Sequence, residues 1–404
     1  MLTAMPLRVV LDSNIYTGDK LRKGEPFKTL ARMCKKGDVL VILPYIVERE
    51  IQTQLAAGSK DDVIAFLKSG KELLSRGVPD DVGAVLGAAI NLLNDRQNDV
   101  VAHAQVLFDQ WGIENNVAKH GLSADLSRKA MEAYFTGQAP LTSPKDRKHI
   151  PDAFLYQAIV ELAGEGPLFV VSQDNQLRNQ CANIPDVEVF ENLTSFIASA
   201  PVQGLIVEED VLQSIVQVGS WMEAEMVAPV PSNAEKVEKA TVDVKTILER
   251  LRQYANSDPF IKNYVAEHGA EDGAGQTFRS RSVPGDDGEA YLQSYGPLDE
   301  VELYWDDAAY MGDSTYLVPY RGTGEMLVEY YLRKSDWHEV DGRKVSFTDH
   351  NDYVFEVEEE RGVTVDGLLR IELDDDAISS DDISTSIQSI EIDSIENVAL
   401  EKDA

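Results

Sequence analysis

An α/β fold built on a parallel sheet, followed by a second, mainly antiparallel β domain, is the class the sequence predicts. Three observations predict it. Through the first 200 residues, short unbroken apolar runs alternate with helix-period segments, the pattern of a parallel sheet covered on both faces. From residue 258 onward, apolar and polar residues alternate in several short runs with glycines between them, the pattern of an antiparallel sheet. The charge divides the same way. Residues 1–200 carry 21 Lys and Arg against 25 Asp and Glu, a balance of −4, and the rest carry 16 against 45, a balance of −29.

Leu7 to Leu11 is an apolar run ending at Asp12, which reads as a buried strand with an acid at its C-terminal end. Gly24 to Lys36 reads as a helix with Phe27, Leu30, Ala31 and Cys34 on one face, closed by the turn pair Gly37-Asp38. Val39 to Leu43 is a second buried strand, and Pro44 opens a helix carrying Val47, Glu50, Ile51 and Gln54. Residues 59 to about 139 read as an all-helical insertion of four helices, around Ile64–Leu73, Val85–Leu93, Val100–Trp111 and Leu122–Phe135. Pro140 to Pro151 is a basic loop. Asp152 to Ala163 is a helix, Leu168 to Val171 a third strand, and Val187 to Phe190 a fourth.

Residues 201–257 read as a helical connector and linker. It holds a helix over Glu208–Met226, a Pro-rich linker over Ala228–Asn233 and a charged helix over Ala234–Ala255. Residues 258–404 form the acidic β-rich domain, with strands at Val301–Leu303, Tyr316–Pro319, Met326–Leu332, Tyr353–Val357 and Leu368–Leu373. Asp374 to Ala404 reads as either a last strand pair or a frayed tail.

Composition excludes several classes. No apolar run approaches the roughly 20 residues a membrane helix needs, and the N-terminus lacks a secretory pattern. The 2 cysteines, Cys34 and Cys181, make neither a disulfide framework nor a zinc pattern, and 6 scattered histidines make no zinc motif. A reducing cytoplasm is the expected setting. No P-loop or dinucleotide glycine pattern is present. A two-aspartate phosphatase needs an acid where Asn14 stands, and a receiver domain needs paired acids and a late lysine that the sheet lacks.

Four carboxylates fall where an open α/β sheet places its ligand site. Asp12 ends the first strand, Glu50 lies two turns into the helix after the second, Asp152 opens the helix before the third, and Asp174 follows the third. Acids gathered in one place repel one another and resist ionisation unless a cation joins them. Oxygen ligands alone suit Mg²⁺ or Mn²⁺, and such a site suits hydrolysis of a phosphodiester.

These four places resemble the PIN-domain nuclease family. Leu11-Asp12-Ser13-Asn14 looks like the family's strand-end motif. Pro44 through Glu50 looks like its Pro-x-x-Val-x-x-Glu motif, Asp152-Ala153 like its Asp-Ala helix start, and Val171-Ser172-Gln173-Asp174 like its Val-Thr/Ser-x-Asp ending. The resemblance covers about residues 7–195 within a domain spanning 1–200, and it implies a three-layer sandwich. It also implies a metal-dependent endoribonuclease, a hydrolase leaving a 5′-phosphate and a 3′-hydroxyl. Some members are toxins of toxin–antitoxin pairs and others are inactive scaffolds. On that resemblance Asp12, Asp152 and Asp174 bind metal. Glu50 binds metal or orients water, and Asn14, Asn175, Arg147 and Lys148 contact substrate.

Each acid also has an ordinary reading. Asp12 and Asp152 are good helix caps, and Asp174-Asn175 is common turn chemistry. Glu48 competes with Glu50 but lies on another face of its helix. His149 is either a general acid or a surface residue, and residues 145–149 are equally a solvated loop. The acidic runs near 374–382 lack calcium-loop spacing. Trp221, Trp305 and Trp337 read as core or interface. The expected partner is nucleic acid, RNA first and DNA as the alternative, with a protein partner or inhibitor at the acidic domain. A catalytically inactive PIN-like scaffold is the other alternative, and a homo-oligomer is left open.

Overall fold

The computed structural model describes residues 5–141, 143, 145, 149–219, 233–271, 277–280, 282–284, 289–294, 296–340, 342–374, 377 and 382–401. The chain forms two compact units, Met1–Phe196 and Ile197–Ala404. Of the expected linker over 228–233, residues 228–232 lie outside the described residues and Asn233 is helical; the helix end over 220–226 with Trp221, and Arg147 and Lys148, also lie outside them.

The first unit is built on a five-stranded parallel sheet in the order β3-β2-β1-β4-β5. Its strands are β1 (Leu7–Leu11), β2 (Val39–Pro44), β3 (Ala118–His120), β4 (Leu168–Val171) and β5 (Val187–Phe190). Val9, Val10, Leu11, Val170 and Val171 are wholly buried, which is why these strands read as unbroken apolar runs and not as alternating ones. Helices α1 (Ser13–Gly18), α2 (Glu25–Lys36), α3 (Tyr45–Arg76), α4 (Asp80–Glu114), α5 (Ala124–Thr136), α6 (Ile150–Ala163), α7 (Asn175–Cys181) and α8 (Leu193–Ile197) connect and cover the strands. The predicted α/β class holds. Gly37 ends α2 at φ +88°, a conformation that a side chain would strain.

The insertion differs from the expected four helices. Glu50's own helix does not stop near residue 58 but runs through Arg76 as α3. The segments around Val85–Leu93 and Val100–Trp111 fuse into one 35-residue helix, α4. The six polar residues between them contain no glycine or proline, and Arg96 pairs with Asp99 at 2.6 Å across one turn. The hairpin of α3 and α4 closes over Val63, Leu67 and Ile90, with Leu74, Leu86 and Leu93 packed around them. The last helix of the insertion starts at Ala124, not Leu122, because Ser123 caps it by accepting from the Leu126 amide at 3.0 Å. Three residues of the insertion join the sheet as β3, paired through Ile42 to Ala118. So short a strand carries no period of its own.

The second unit contains α9 (Ala200–Gly219), α10 (Asn233–Ser257) and α11 (Phe260–His268). Its eight-stranded antiparallel sheet comprises β6 (Thr277–Arg279), β7 (Glu289–Ser294), β8 (Glu300–Leu303), β9 (Ala309–Gly312), β10 (Thr315–Arg333), β11 (Val345–Asp349), β12 (Val354–Leu373) and β13 (Ile387–Leu400). The predicted antiparallel domain is thus observed, with longer strands. Strands expected at Tyr316–Pro319 and Met326–Leu332 are parts of one strand, β10. It pairs with β12 from Thr315–Glu372 to Arg333–Val354. The glycines that broke the reading serve close packing. A Cβ on Gly322 would collide with Leu298, and one on Gly367 with the Tyr320 hydroxyl. The C-terminal segment ends in one strand, β13, paired to β12 through Ile371 and Ile390. Among the described residues no helix is long and apolar enough to cross a membrane.

Candidate active site

The strand order of the first sheet reverses at β1, which has β2 on one side and β4 on the other. Chains leaving β1 and β4 at their C-terminal ends diverge to opposite faces, and a crevice opens between them. Asp12 leaves β1 there, its amide donating to the Val171 carbonyl at 2.9 Å. Ser172, Gln173 and Asp174 leave β4 beside it.

Asp12 is 7% exposed and caps α1, so burial and the helix start fix its carboxylate. Oδ1 accepts from the Ser13 amide at 2.7 Å. Oδ2 accepts from the Ser172 hydroxyl at 2.6 Å and the Asn14 amide group at 2.9 Å. Asn14 in turn accepts from the Gln173 amide at 3.4 Å and ties the two strand ends together. Asp174 caps α7, accepting from the amides of Gln176 at 2.6 Å and Leu177 at 2.9 Å. Asp152 does not cap its helix. The helix begins at Ile150, so Asp152 lies within the first turn and its carboxylate faces His149 Nδ1 at 2.7 Å.

Glu50 is braced by the Ser13 hydroxyl. Glu48 is turned to Lys119, 2.6 Å from its ammonium, and has no part in the cluster. Burial pushes the Glu50 carboxyl up to about 7, and the charges of Asp12 and Asp152 add to the rise. Burial likewise raises Asp12, reinforced by Asp152 and Asp174 and opposed by the bonds from Ser172 and Ser13. Asp152 is raised by burial and by Asp174, against the relief its bond to His149 gives. The structure therefore brings Asp12 and Asp152 within electrostatic reach of each other, of Glu50 and of Asp174. Among the described residues, what offsets their repulsion is hydroxyls, an amide and a histidine.

Two residues that sequence reading missed hold this arrangement. The Ser172 hydroxyl bonds Asp12 and also accepts from the Asp174 amide at 3.1 Å, so one side chain sets the spacing of two acids. Arg178 donates to the Ser172 carbonyl at 2.5 Å and to Asn175 Oδ1. Asn175 is thereby a brace on the loop after β4. Ser172 was visible as the hydroxyl of the fourth motif, whereas Arg178 carried no signal.

Residues 9–176 match the family profile described as the PIN domain. The N-terminal unit is a PIN domain. No curated protein and no solved structure matches the chain. PIN domains are generally nucleases, acting on nucleic acid and usually with divalent metals. The match ends within α7, so it covers all four acids and none of the second unit.

The donor set of this PIN domain fits a hard divalent cation in its chemistry. It consists of carboxylate oxygens, the hard ligands such an ion takes. In position the fit is looser. Among the described residues no three His, Cys, Asp or Glu side chains meet closely enough to hold one ion. Asp12, Asp152 and Asp174 each turn to a protein hydrogen-bond partner while their charges keep them apart.

Proposed function

We propose that the N-terminal unit is a divalent-metal-dependent endoribonuclease. The placement of four carboxylates around the switch point of the sheet carries the reading. Asp12, Asp152 and Asp174 would hold Mg²⁺ or Mn²⁺, with Glu50 as ligand or as the group that orients water. The bound cation would supply Lewis acidity, lowering the pKa of a water and offsetting charge at the phosphate. The chain's own residues prepare the site. Ser172 and Ser13 fix the Asp12 and Glu50 carboxylates, and burial excludes bulk water from Asp12. Asn14 spans the crevice and could meet a phosphate oxygen. Arg147 and Lys148, just before Asp152 in sequence, are the proposed contacts to the substrate backbone. In a cytoplasmic setting the acidic second unit would restrain a toxin- or defence-type nuclease, or dock a basic partner.

A second reading has its own support. The acids do not converge on a single point, which suits a PIN-like scaffold that binds nucleic acid without cutting. One experiment separates the two. The full chain is incubated with tRNA, rRNA and single-stranded DNA, with and without Mn²⁺. Mn²⁺-dependent RNA cleavage that falls by about 10³-fold in Asp12→Asn and in Asp174→Asn supports the nuclease. Binding without cleavage, unchanged in both variants, supports the scaffold. DNA cleavage alone overturns the RNA assignment.

A further inference from the structure

Beside the acid cluster lies a cavity of about 280 Å³, walled by the end of α1, the loop after it, α3 and α4. Its floor continues the acid-bearing elements. Gln54 lies one turn beyond Glu50 on the same face of α3, about 6 Å along the axis. Thr17 lies one turn beyond Ser13, the residue that braces Glu50. Leu21, Leu55 and Leu107 make the walls mostly apolar.

Two cations break that apolar lining. Arg22 is only 7% exposed and takes φ +54°, a left-handed conformation rare for a residue with a side chain. Its guanidinium lies 5.3 Å from the Phe108 ring centre and 5.7 Å from that of Trp111. One nitrogen, Nη1, donates to the Lys20 carbonyl at 3.0 Å. Nε is buried with no partner among the described residues. No carboxylate among them comes within ion-pair distance of it. Ring faces offset part of the desolvation of such a charge, but not all of it. Lys20 supplies the second cation. Its Nζ would sit 3.8 Å from a Cβ placed on Gly58. The wall itself carries one acid, Asp62, and Asp19, in the turn before Arg22, acts on the guanidinium from outside the lining.

We infer that this cavity holds a single nucleotide, its phosphate on Lys20 and Arg22 and its base between the leucines. Lys20 and the Arg22 guanidinium, both on the cavity wall, fit an anion, and the leucine walls fit a flat apolar ring. The volume, close to the lower end of small-ligand pockets at about 300 Å³, admits one nucleotide and no longer segment. The placement one turn from Glu50 makes it a specificity subsite for a nucleotide flanking the scissile bond. The inference rests on the nucleic-acid reading above, and it also accommodates a free nucleotide.

The test uses the full-length chain in EDTA, so no cleavage is involved. Binding of 5′-AMP is followed by calorimetry, and binding of a fluorescein-labelled oligo(rA) 12-mer by anisotropy. Two variants are compared with wild type. Gly58→Leu extends into the cavity from a helical position where an added Cβ meets only the tip of Lys20. Lys20→Met removes an exposed charge without touching the core. Neither should lower the melting temperature, because leucine favours a helix over glycine and Lys20 is at the surface. Both should weaken 5′-AMP binding at least tenfold. If the 12-mer weakens with it, the occupant is a nucleotide of the strand. If the 12-mer is unaffected, the occupant is a free nucleotide. No binding of 5′-AMP to wild type at millimolar concentration overturns the inference, as does equal binding to Gly58→Leu. Absence of Mn²⁺-dependent cleavage would remove the nuclease reading and leave this result intact.

Discussion

Replacing Glu50 with Gln should stabilise the metal-free PIN domain above neutral pH while removing the proposed cleavage. The carboxyl rises from its ordinary 4.5 to about 7 in the fold. Between those values the folded state binds the proton and the unfolded state does not. The stability associated with that proton is therefore full below about 4.5 and is lost as pH rises through about 7. That gap corresponds to about 3 kcal/mol, reduced to about 2 kcal/mol by the partial exposure of the side chain. Gln keeps an oxygen for the Ser13 hydroxyl and carries no charge. At pH 8 in EDTA, Glu50→Gln should exceed wild type by about 2 kcal/mol, and at pH 4.5 the advantage should vanish. Urea titration read by hydrogen exchange in peptides from β1 and β4 isolates the PIN domain within the full chain. Millimolar Mn²⁺ should stabilise wild type more than the variant. A variant less stable than wild type at pH 8, or superimposable pH profiles, would refute the reasoning.

Further outcomes follow from the same geometry. Ser172→Ala removes the bond that spaces Asp12 and Asp174, so cleavage should fall about tenfold and stability by about 1 kcal/mol, measured by single-turnover kinetics and urea titration. Glu48→Gln should retain activity within about twofold, because its partner is the exposed Lys119; a loss like that of Glu50→Gln would move the acid role to Glu48. Gly37→Ala should cost about 1 kcal/mol, since the left-handed turn admits a side chain only with strain. Gly367→Val should lower the melting temperature of the second unit and leave PIN-domain exchange unchanged, because its side chain would displace the Tyr320 hydroxyl from the Gly269 carbonyl, 2.6 Å away.

The sequence by itself determined the elements of the PIN domain and the order of its acids. A fully buried parallel strand must be apolar throughout, so Leu7–Leu11, Val39–Leu43 and Leu168–Val171 announce themselves, and an acid at the end of such a strand stands out against it. Tertiary structure decided what depends on neighbours far along the chain. β3 is a strand only because Ala118 meets Ile42, and β10 and β12 run past their glycines because Leu298 and Tyr320 occupy the space a side chain would need. The motif already favoured Glu50 over Glu48; what the fold added is the ion pair to Glu48 from Lys119, 71 residues beyond it. The cavity at Arg22 could not be read at all. Its walls come from segments that local periodicity assigns separately, and a buried arginine looks like any other in sequence until packing removes its water.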